Sequence, residues 1–244
     1  CLARMAGVRR VIAVSQSEAR LLQTGGLRAP RLQVIYNGIP DSTDPPIHWR
    51  RERGWPADAP VIGAVGRLDP PKGFPVLLQA FAQLDSAAYP SPPRLVIVGD
   101  GPQRQELLHL SRELNVEDRV FFTGYRSDSR RAFGGFDVTV IPSLQDGLPL
   151  VCLEAMAAGC PVIASNTGGL PEMVVHQETG LIVPPQNPAA LKKALEALLQ
   201  DPQRAREMGR RGRRRFLEQF HLDQMIDRTL AVYREALGAR APAW

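Results

Sequence analysis

Residues 61–84 read VIGAVGRLDPPKGFPVLLQAFAQL. Val61–Val65 is a short apolar run of the kind that forms a buried strand. Gly66–Gly73 is a loop built from Gly, Pro and charged residues, and from Phe74 the apolar residues fall at 74, 77, 78 and 81, the spacing of one helix face. Strand, short loop and helix make up half of a βαβ unit. Strand-like runs recur at Val11–Val14, Leu32–Ile35, Leu95–Val98, Val120–Phe122, Val138–Ile141, Val162–Ala164 and Leu181–Val183. Helical patterns fall between them. Ser15 with Glu18 is a capping-box pair opening Ser17–Thr24, and Pro102 occupies a first helical position ahead of Gln103–Leu114. Leu150–Ala158 and Ala189–Leu199 complete the set. Short strands alternating with helices predict an α/β fold: a parallel sheet covered on both faces. In such sheets ligands meet the loops that follow the strands.

The flanking sequence differs. Residues 40–60 hold five prolines and no periodicity, which reads as a linker and an irregular lead-in. Beyond Gln200 the pattern is purely helical, ending in an apolar stripe of Leu222, Met225, Ile226, Leu230, Tyr233 and Leu237. The 244 residues are 44% hydrophobic and 23% charged, ordinary globular usage, and no run approaches the ~18 apolar residues of a membrane span. A start at Cys1 rather than Met suggests a piece of a longer protein. Cys152 and Cys160 stand about 12 Å apart at helical rise, too far to bridge. Three cysteines make no disulfide framework, so a reducing, cytoplasmic compartment is the expectation. The formal charge of +5 is concentrated: residues 1–40 carry six Arg against Glu18, and 204–215 carry seven Arg against Glu207. The remainder is net acidic, and with 6% aromatics no basic stacking platform exists, so nucleic acid is not an expected partner.

Three loops offer chemistry. In Gly66–Gly73, glycines at both ends permit close approach to a ligand, Arg67 offers a planar fork for phosphate oxygens and Lys72 a point charge. Lysine is scarce, only Lys72, Lys192 and Lys193 beside 27 Arg. The loop from Pro142 enters the helix at Leu150, with Asp146 before it and Glu154 one turn inside. Glu154 is a lone acid among Leu153, Ala155, Met156, Ala157 and Ala158, and a carboxylate there needs partners, such as the two adjacent hydroxyls of a ribose. Free N–H groups at Leu148–Leu150 face any anion at the helix start. Gly99-Asp100-Gly101-Pro102 is a weak pyrophosphate signal, because the third glycine position is Arg104. Gly168-Gly169 reads as structural. His48, His109, His176 and His221 are scattered, and neither metal spacing nor a Gly-x-Ser-x-Gly elbow occurs, so no metal is expected.

Taken in order, Val11–Ser15, Asn37-Gly38, Gly66-Arg67-Leu68 with Lys72-Gly73, Val98–Pro102, Phe121–Gly124, Ile141-Pro142-Ser143, Gly147–Leu150 with Leu153–Gly159, and Pro161–Ser165 with Gly168-Gly169 resemble the retaining glycosyltransferases of family GT4. That family has the GT-B architecture of two facing Rossmann-like domains. The resemblance implies that this chain is the C-terminal, donor-binding half. Residues 1–40 would be a remnant of the N-terminal acceptor domain with a linker, 41–215 a Rossmann-like nucleotide-sugar domain, and 216–244 a crossing helix. It implies further that Arg67 and Lys72 bind the donor's diphosphate. Asp146 and Glu154 match the ends of the Glu-x7-Glu motif, the second acid holding the ribose and the first lying near the transferred sugar. Asp146 is one methylene shorter than the family's glutamate. Gly66, Gly147, Leu148, Pro149, Leu150 and Val151 match backbone that meets sugar and phosphate, although Pro149 removes one donor, and Tyr125 and Arg126 fall in the base-binding loop.

The implied reaction transfers a sugar from a nucleoside diphosphate to a hydroxyl acceptor with retention, using no cofactor. The acceptor, a glycan or glycolipid, would come through the absent N-terminal domain. Binding without transfer is the expectation for this piece alone. Other readings are a hydrolase using Asp146 and Glu154 as an acid/base pair, a non-catalytic nucleotide-sugar-binding module, and an epimerase or phosphorylase of similar fold. No lysine is placed to anchor pyridoxal phosphate. The Arg-rich stretch 204–215 offers either a solvated helix face or a contact with anionic lipid at the inner face of a membrane.

Overall fold

The computed structural model describes residues 8–27, 32–42 and 44–238. Six strands, β3 (Val61–Val65), β4 (Arg94–Val98), β5 (Val120–Gly124), β6 (Val138–Ile141), β7 (Val162–Ser165) and β8 (Gly180–Val183), form one sheet in the order β5-β4-β3-β6-β7-β8. Every pairing in it is parallel. Two further strands, β1 (Val11–Ala13) and β2 (Leu32–Val34), pair in parallel as a separate ribbon around α1 (Gln16–Thr24). The fold is thus the expected Rossmann-like parallel sheet with helices on both faces, and all eight strand-like runs became strands.

Both sheet faces are dry, which is why the strands read as continuous apolar runs. Ile62, Ala64, Leu95, Ile97, Val138, Val140 and Ile163 point to one side, against α3 (Phe74–Ala82), α4 (Arg104–Glu113) and α7 (Pro188–Leu199). Val61, Val96, Val98, Val162 and Ala164 point to the other, against α5 (Leu150–Ala157), the single turn α6 (Leu170–Met173) and the end of α8 (Pro202–Gln219). The alternation is the period-2 rule applied to a sheet covered twice.

Four local expectations need correction or qualification. Within the proline-rich stretch lies a helix, α2 (Trp49–Arg53); Trp49 is 1% exposed, stacks on Phe136 at 5.8 Å and donates its Nε1–H to the Ala132 carbonyl. Pro102 is not the first helical residue: Gln103 is the N-cap of α4, and its N–H is taken by the Leu68 carbonyl, so a tertiary contact sets the helix start. The boundary expected at 215/216 falls inside α8. The stripe on α9 (Leu222–Leu237) is helical as read, but Ile226, Leu230, Tyr233 and Leu237 are exposed and Val232 is the helix's buried residue. Cys1 lies outside the described residues, whereas Cys152 and Cys160 are buried free thiols.

Half of the capping box forms as read: Glu18 N–H donates to Ser15 Oγ at 3.0 Å, while the Glu18 carboxylate accepts from the Val14 N–H, one residue ahead of the N-cap. Four of the seven arginines of the basic stretch are spent internally. Arg213 donates to both Asp41 oxygens and to the Ala157 carbonyl, Arg215 to the Glu172 and Met173 carbonyls, and Arg210 and Arg211 pair with Glu207. The guanidinium of Arg213 holds the Asp41 carboxyl below its ordinary range. No helix among the described residues is long and apolar enough to cross a membrane.

Candidate active site

The strand order reverses between β3 and β6. From β3 the chain works outward through β4 to β5; from β6 it works the other way through β7 to β8. The helix after β3 covers one face and the helix after β6 covers the other. The loops leaving the carboxyl ends of these neighbouring strands therefore part around a crevice, the switch point where open α/β sheets bind ligands. Those loops are 66–73 and 142–149, the two singled out in the sequence.

They are locked to each other by backbone. Leu144 and Gln145 donate their N–H groups to the Pro71 carbonyl at 2.8 and 3.3 Å. Gly73 follows the 3-10 turn Pro70–Lys72 with φ +68°, and a Cβ there would lie well under 3.0 Å from the Pro142 carbonyl oxygen. A third loop closes on the second: Gly169 donates its N–H to the Gly147 carbonyl at 2.7 Å, and Thr167 Oγ1 donates to Leu144 O at 3.2 Å. Gly168, at φ +54°, leaves no room for a Cβ beside the Asp146 carbonyl. The 99–102 loop buttresses the first, its Asp100 carbonyl taking the Leu68 N–H at 2.9 Å.

This framing sets the side chains. Lys72 Nζ lies 2.7 Å from Asp146 Oδ2, and Ser143 Oγ donates to the same oxygen at 3.0 Å. Asp146 is 11% exposed, so the pair is mostly withdrawn from water. Arg67 is on the same loop, but its guanidinium is 72% exposed and has Asp69 at 3.4 Å. α5 opens at the crevice with Pro149 as N-cap and no side-chain cap, which leaves its first N–H groups without intrahelical partners. Leu148 is buried, Leu150 stands half exposed, and Asn37 at the end of the β1–β2 ribbon donates to the Leu148 carbonyl at 3.4 Å.

Glu154 sits one turn further along α5 on the side of the 3-10 segment Ser129–Gly135. Arg130 Nε is 3.8 Å from its Oε1, and both line a cavity of about 360 Å³ with Ser42, Asp44 and Arg131. Burial pushes the Glu154 carboxyl above its usual range, with Arg130 opposing the shift. Tyr125 projects into solvent, 79% exposed. Arg126 is already engaged: it pairs with Asp128 at 2.9 Å and Glu52 at 3.5 Å and lies over the Trp49 ring. The structure thus joins Lys72 to Asp146 directly, keeps Arg67 on their loop but open to water, and gives Glu154 a partner of its own. Ser143 and Arg130 were missed as site residues. Ser143 stood in a quoted motif, but Arg130 carried no signal beyond the Arg130-Arg131 doublet. No cluster of three or more metal-ligating side chains exists among the described residues.

Known proteins share this fold. The chain superposes on sucrose-phosphate synthase from Thermosynechococcus elongatus with a TM-score of 0.84 and 35% identity, covering 94% of this chain and 59% of that one. It superposes on Anabaena HepE in complex with UDP-glucose with a TM-score of 0.81 and 29% identity, covering 92% of this chain and 64% of that one. The D-inositol 3-phosphate glycosyltransferase of Acidothermus cellulolyticus is 34% identical over 98% of this chain and 56% of its own length. The chain spans little more than half the length of the curated relatives it matches. Residues 47–215, the whole six-stranded sheet with its helices, match the model of glycosyl transferases group 1, and the chain belongs to that family.

Proposed function

We propose that this chain is the donor-binding part of a glycosyltransferase that moves a sugar from a nucleoside diphosphate to a hydroxyl acceptor with retention of configuration. The observation that carries the reading is the Lys72–Asp146 pair beside the uncapped mouth of α5 at the switch point of the sheet. As the glycosidic bond breaks, the departing diphosphate gains negative charge. Lys72, Arg67 and the N–H groups opening α5 offer fixed positive charge to those oxygens without a metal. Asp146, held by Ser143, keeps the ammonium in place while the site is empty. The exposed guanidinium of Arg67 is free to turn onto phosphate.

In this reading Glu154 accepts the two ribose hydroxyls, which replace the solvation that burial took from its carboxylate. Arg126 fixes the base-binding loop through Asp128, Glu52 and Trp49, and Tyr125 presents its ring to the base. Gly66 and the segment Gly147, Leu148, Pro149, Leu150 and Val151 supply backbone against phosphate and sugar. The β1–α1–β2 ribbon, whose helix start is held by Glu172 accepting the Gln16 and Ser17 N–H groups, belongs with an acceptor half lying in the part of the relatives outside the match. The donor domain starts at residue 41 and runs through α8, and α9 is the crossing helix. The enzyme acts in the cytoplasm on a glycan or glycolipid.

Calorimetry of this chain with UDP, GDP and their glucose conjugates, beside a transfer assay, tests the proposal. Donor binding without transfer is expected, and no binding by any nucleoside diphosphate would refute it. In an enzyme that carries the acceptor half, Lys72→Ala should slow transfer roughly 30- to 1,000-fold, the loss of one charge contact of ~2–4 kcal/mol in the transition state.

A further inference from the structure

At the opposite end of the sheet, under the amino ends of the central strands, a cavity of about 630 Å³ opens beside Pro60, Asp137 and Pro161, the residues that immediately precede β3, β6 and β7. The length of β3, about 16 Å at strand rise, separates it from Gly66 and the loop that carries Lys72. Its volume falls in the ~300–1,000 Å³ range of small-molecule sites. Its lining includes the apolar side chains of Phe133, Phe136, Leu198 and Leu199.

The polar groups around it are unequal. Arg50 is committed to Asp137 and to the Ala59 carbonyl, Arg213 to Asp41, and Arg210 to Glu207. Arg206, exposed on α8 at the rim, makes no ion pair or hydrogen bond among the described residues. Tyr89, also in the lining, is 9% exposed, and its buried hydroxyl has no hydrogen-bond partner among the described residues, a condition that costs free energy until an acceptor arrives. Arg50, Arg206, Arg210 and Arg213 line the cavity against Asp58 and Asp137, so its lining carries more positive than negative charge. Apolar side chains, an unanswered cation and an unanswered donor define one kind of guest. We propose that this cavity is a second ligand site, for an amphipathic anion whose apolar chain lies against Phe133, Phe136, Leu198 and Leu199 and whose phosphate or carboxylate meets Arg206. Gly134, Ala158, Gly159 and Arg213 also line the Glu154 cavity, so the two cavities adjoin, but Lys72, Asp146 and Glu154 are not in this lining.

The test is calorimetric titration of the chain with decyl phosphate below its critical micelle concentration, with octyl phosphate, inorganic phosphate and 1-decanol as separate arms. One-site saturable binding of decyl phosphate is expected, with octyl phosphate roughly 10-fold weaker for two fewer buried methylenes. Inorganic phosphate and decanol, each with half of the recognition elements, should bind at least 10-fold more weakly than decyl phosphate. Arg206→Gln should weaken decyl phosphate about 10-fold, and Tyr89→Phe, which keeps the ring volume, about 5-fold. Lys72→Ala should leave this binding unchanged. Absence of decyl phosphate binding, equal binding of inorganic phosphate, equal affinity in both the Arg206 and Tyr89 variants, or binding only to anionic vesicles through the α8 surface would overturn the proposal.

Discussion

Gly73 and Gly54 provide a matched pair for testing whether the two loops at the switch point are locked by backbone contact. Both residues sit in the left-handed region, Gly73 at φ +68°, ψ 23° and Gly54, which ends α2, at φ +63°, ψ 27°. An alanine at either position incurs the same conformational cost, ~1–2 kcal/mol. Their surroundings differ. A Cβ on Gly54 meets nothing within 4 Å, whereas a Cβ on Gly73 runs into the Pro142 carbonyl and must push the loops apart. That motion puts the hydrogen bonds from Leu144 and Gln145 to Pro71 at risk, and at ~0.5–1.5 kcal/mol each they add ~1–3 kcal/mol to the cost of Gly73→Ala alone. For a chain of this size 1 kcal/mol corresponds to ~2–4 °C in Tm. Gly73→Ala should therefore melt roughly 2–12 °C below Gly54→Ala, read by circular dichroism and checked by urea titration. Under the donor reading the displaced Lys72 should also cost Gly73→Ala at least ~10-fold in UDP affinity, with Gly54→Ala unchanged. Equal melting temperatures in the two variants would show that the contact between the loops carries no energy, and the account of how Lys72 is positioned would fail.

Other substitutions probe other links. Trp49→Ala should destabilise the chain by ~3–5 kcal/mol in urea unfolding, because it removes a buried ring stacked on Phe136; a loss under about 1 kcal/mol would return residues 40–60 to linker status. Glu154 has its folded pKa raised by burial, so its protonated form is favoured in the native state. The stability it contributes is complete at pH below its unfolded value and is lost as pH rises through the raised one. Glu154→Gln should flatten that part of the stability–pH curve, and it should also remove the decline in donor affinity expected when the carboxylate is protonated; an unchanged curve in the variant refutes both. Burial pushes the Cys160 thiol up to about 12 and raises Cys152 as well, so neither should take up iodoacetamide at pH 8 in the folded chain, while both should in urea, as peptide mass mapping would read.

How much of this was legible follows from where each signal resides. The sheet was legible because strands buried on both faces have no polar alternation to hide them, and Val61–Val65, Leu95–Val98 and Val138–Ile141 announce themselves locally. Trp49–Arg53 was not, because five residues are too few for a helical period, and what holds them is the ring of Phe136, 87 positions away. Periodicity identified α9 as a helix, yet a stripe reports only that one face is apolar and does not name what covers it. The partners of the site residues were invisible for the same reason. That Ser143 shares an Asp146 oxygen with Lys72, or that Arg130 faces Glu154, depends on crossings between β3, β6 and the segment after β5, which no local pattern encodes.

The glycines of the candidate loops join these two kinds of information. In sequence, Gly73 and Gly168 suggest backbone free to approach a ligand. In the fold each is first occupied by the protein's own carbonyls, Pro142 at one and Asp146 at the other. The contacts are consecutive: the loop after β7 presses on the loop after β6, and that loop presses on the loop after β3. Lys72 and Asp146 flank the second contact, and the mouth of α5 follows the first in the chain. A ligand entering this crevice therefore meets charges whose separation is fixed by main-chain packing and not by side-chain choice. Substitutions at Gly73 or Gly168 should for that reason damage the site more than conservative changes in the apolar residues around it, although neither glycine has a side chain to offer a substrate.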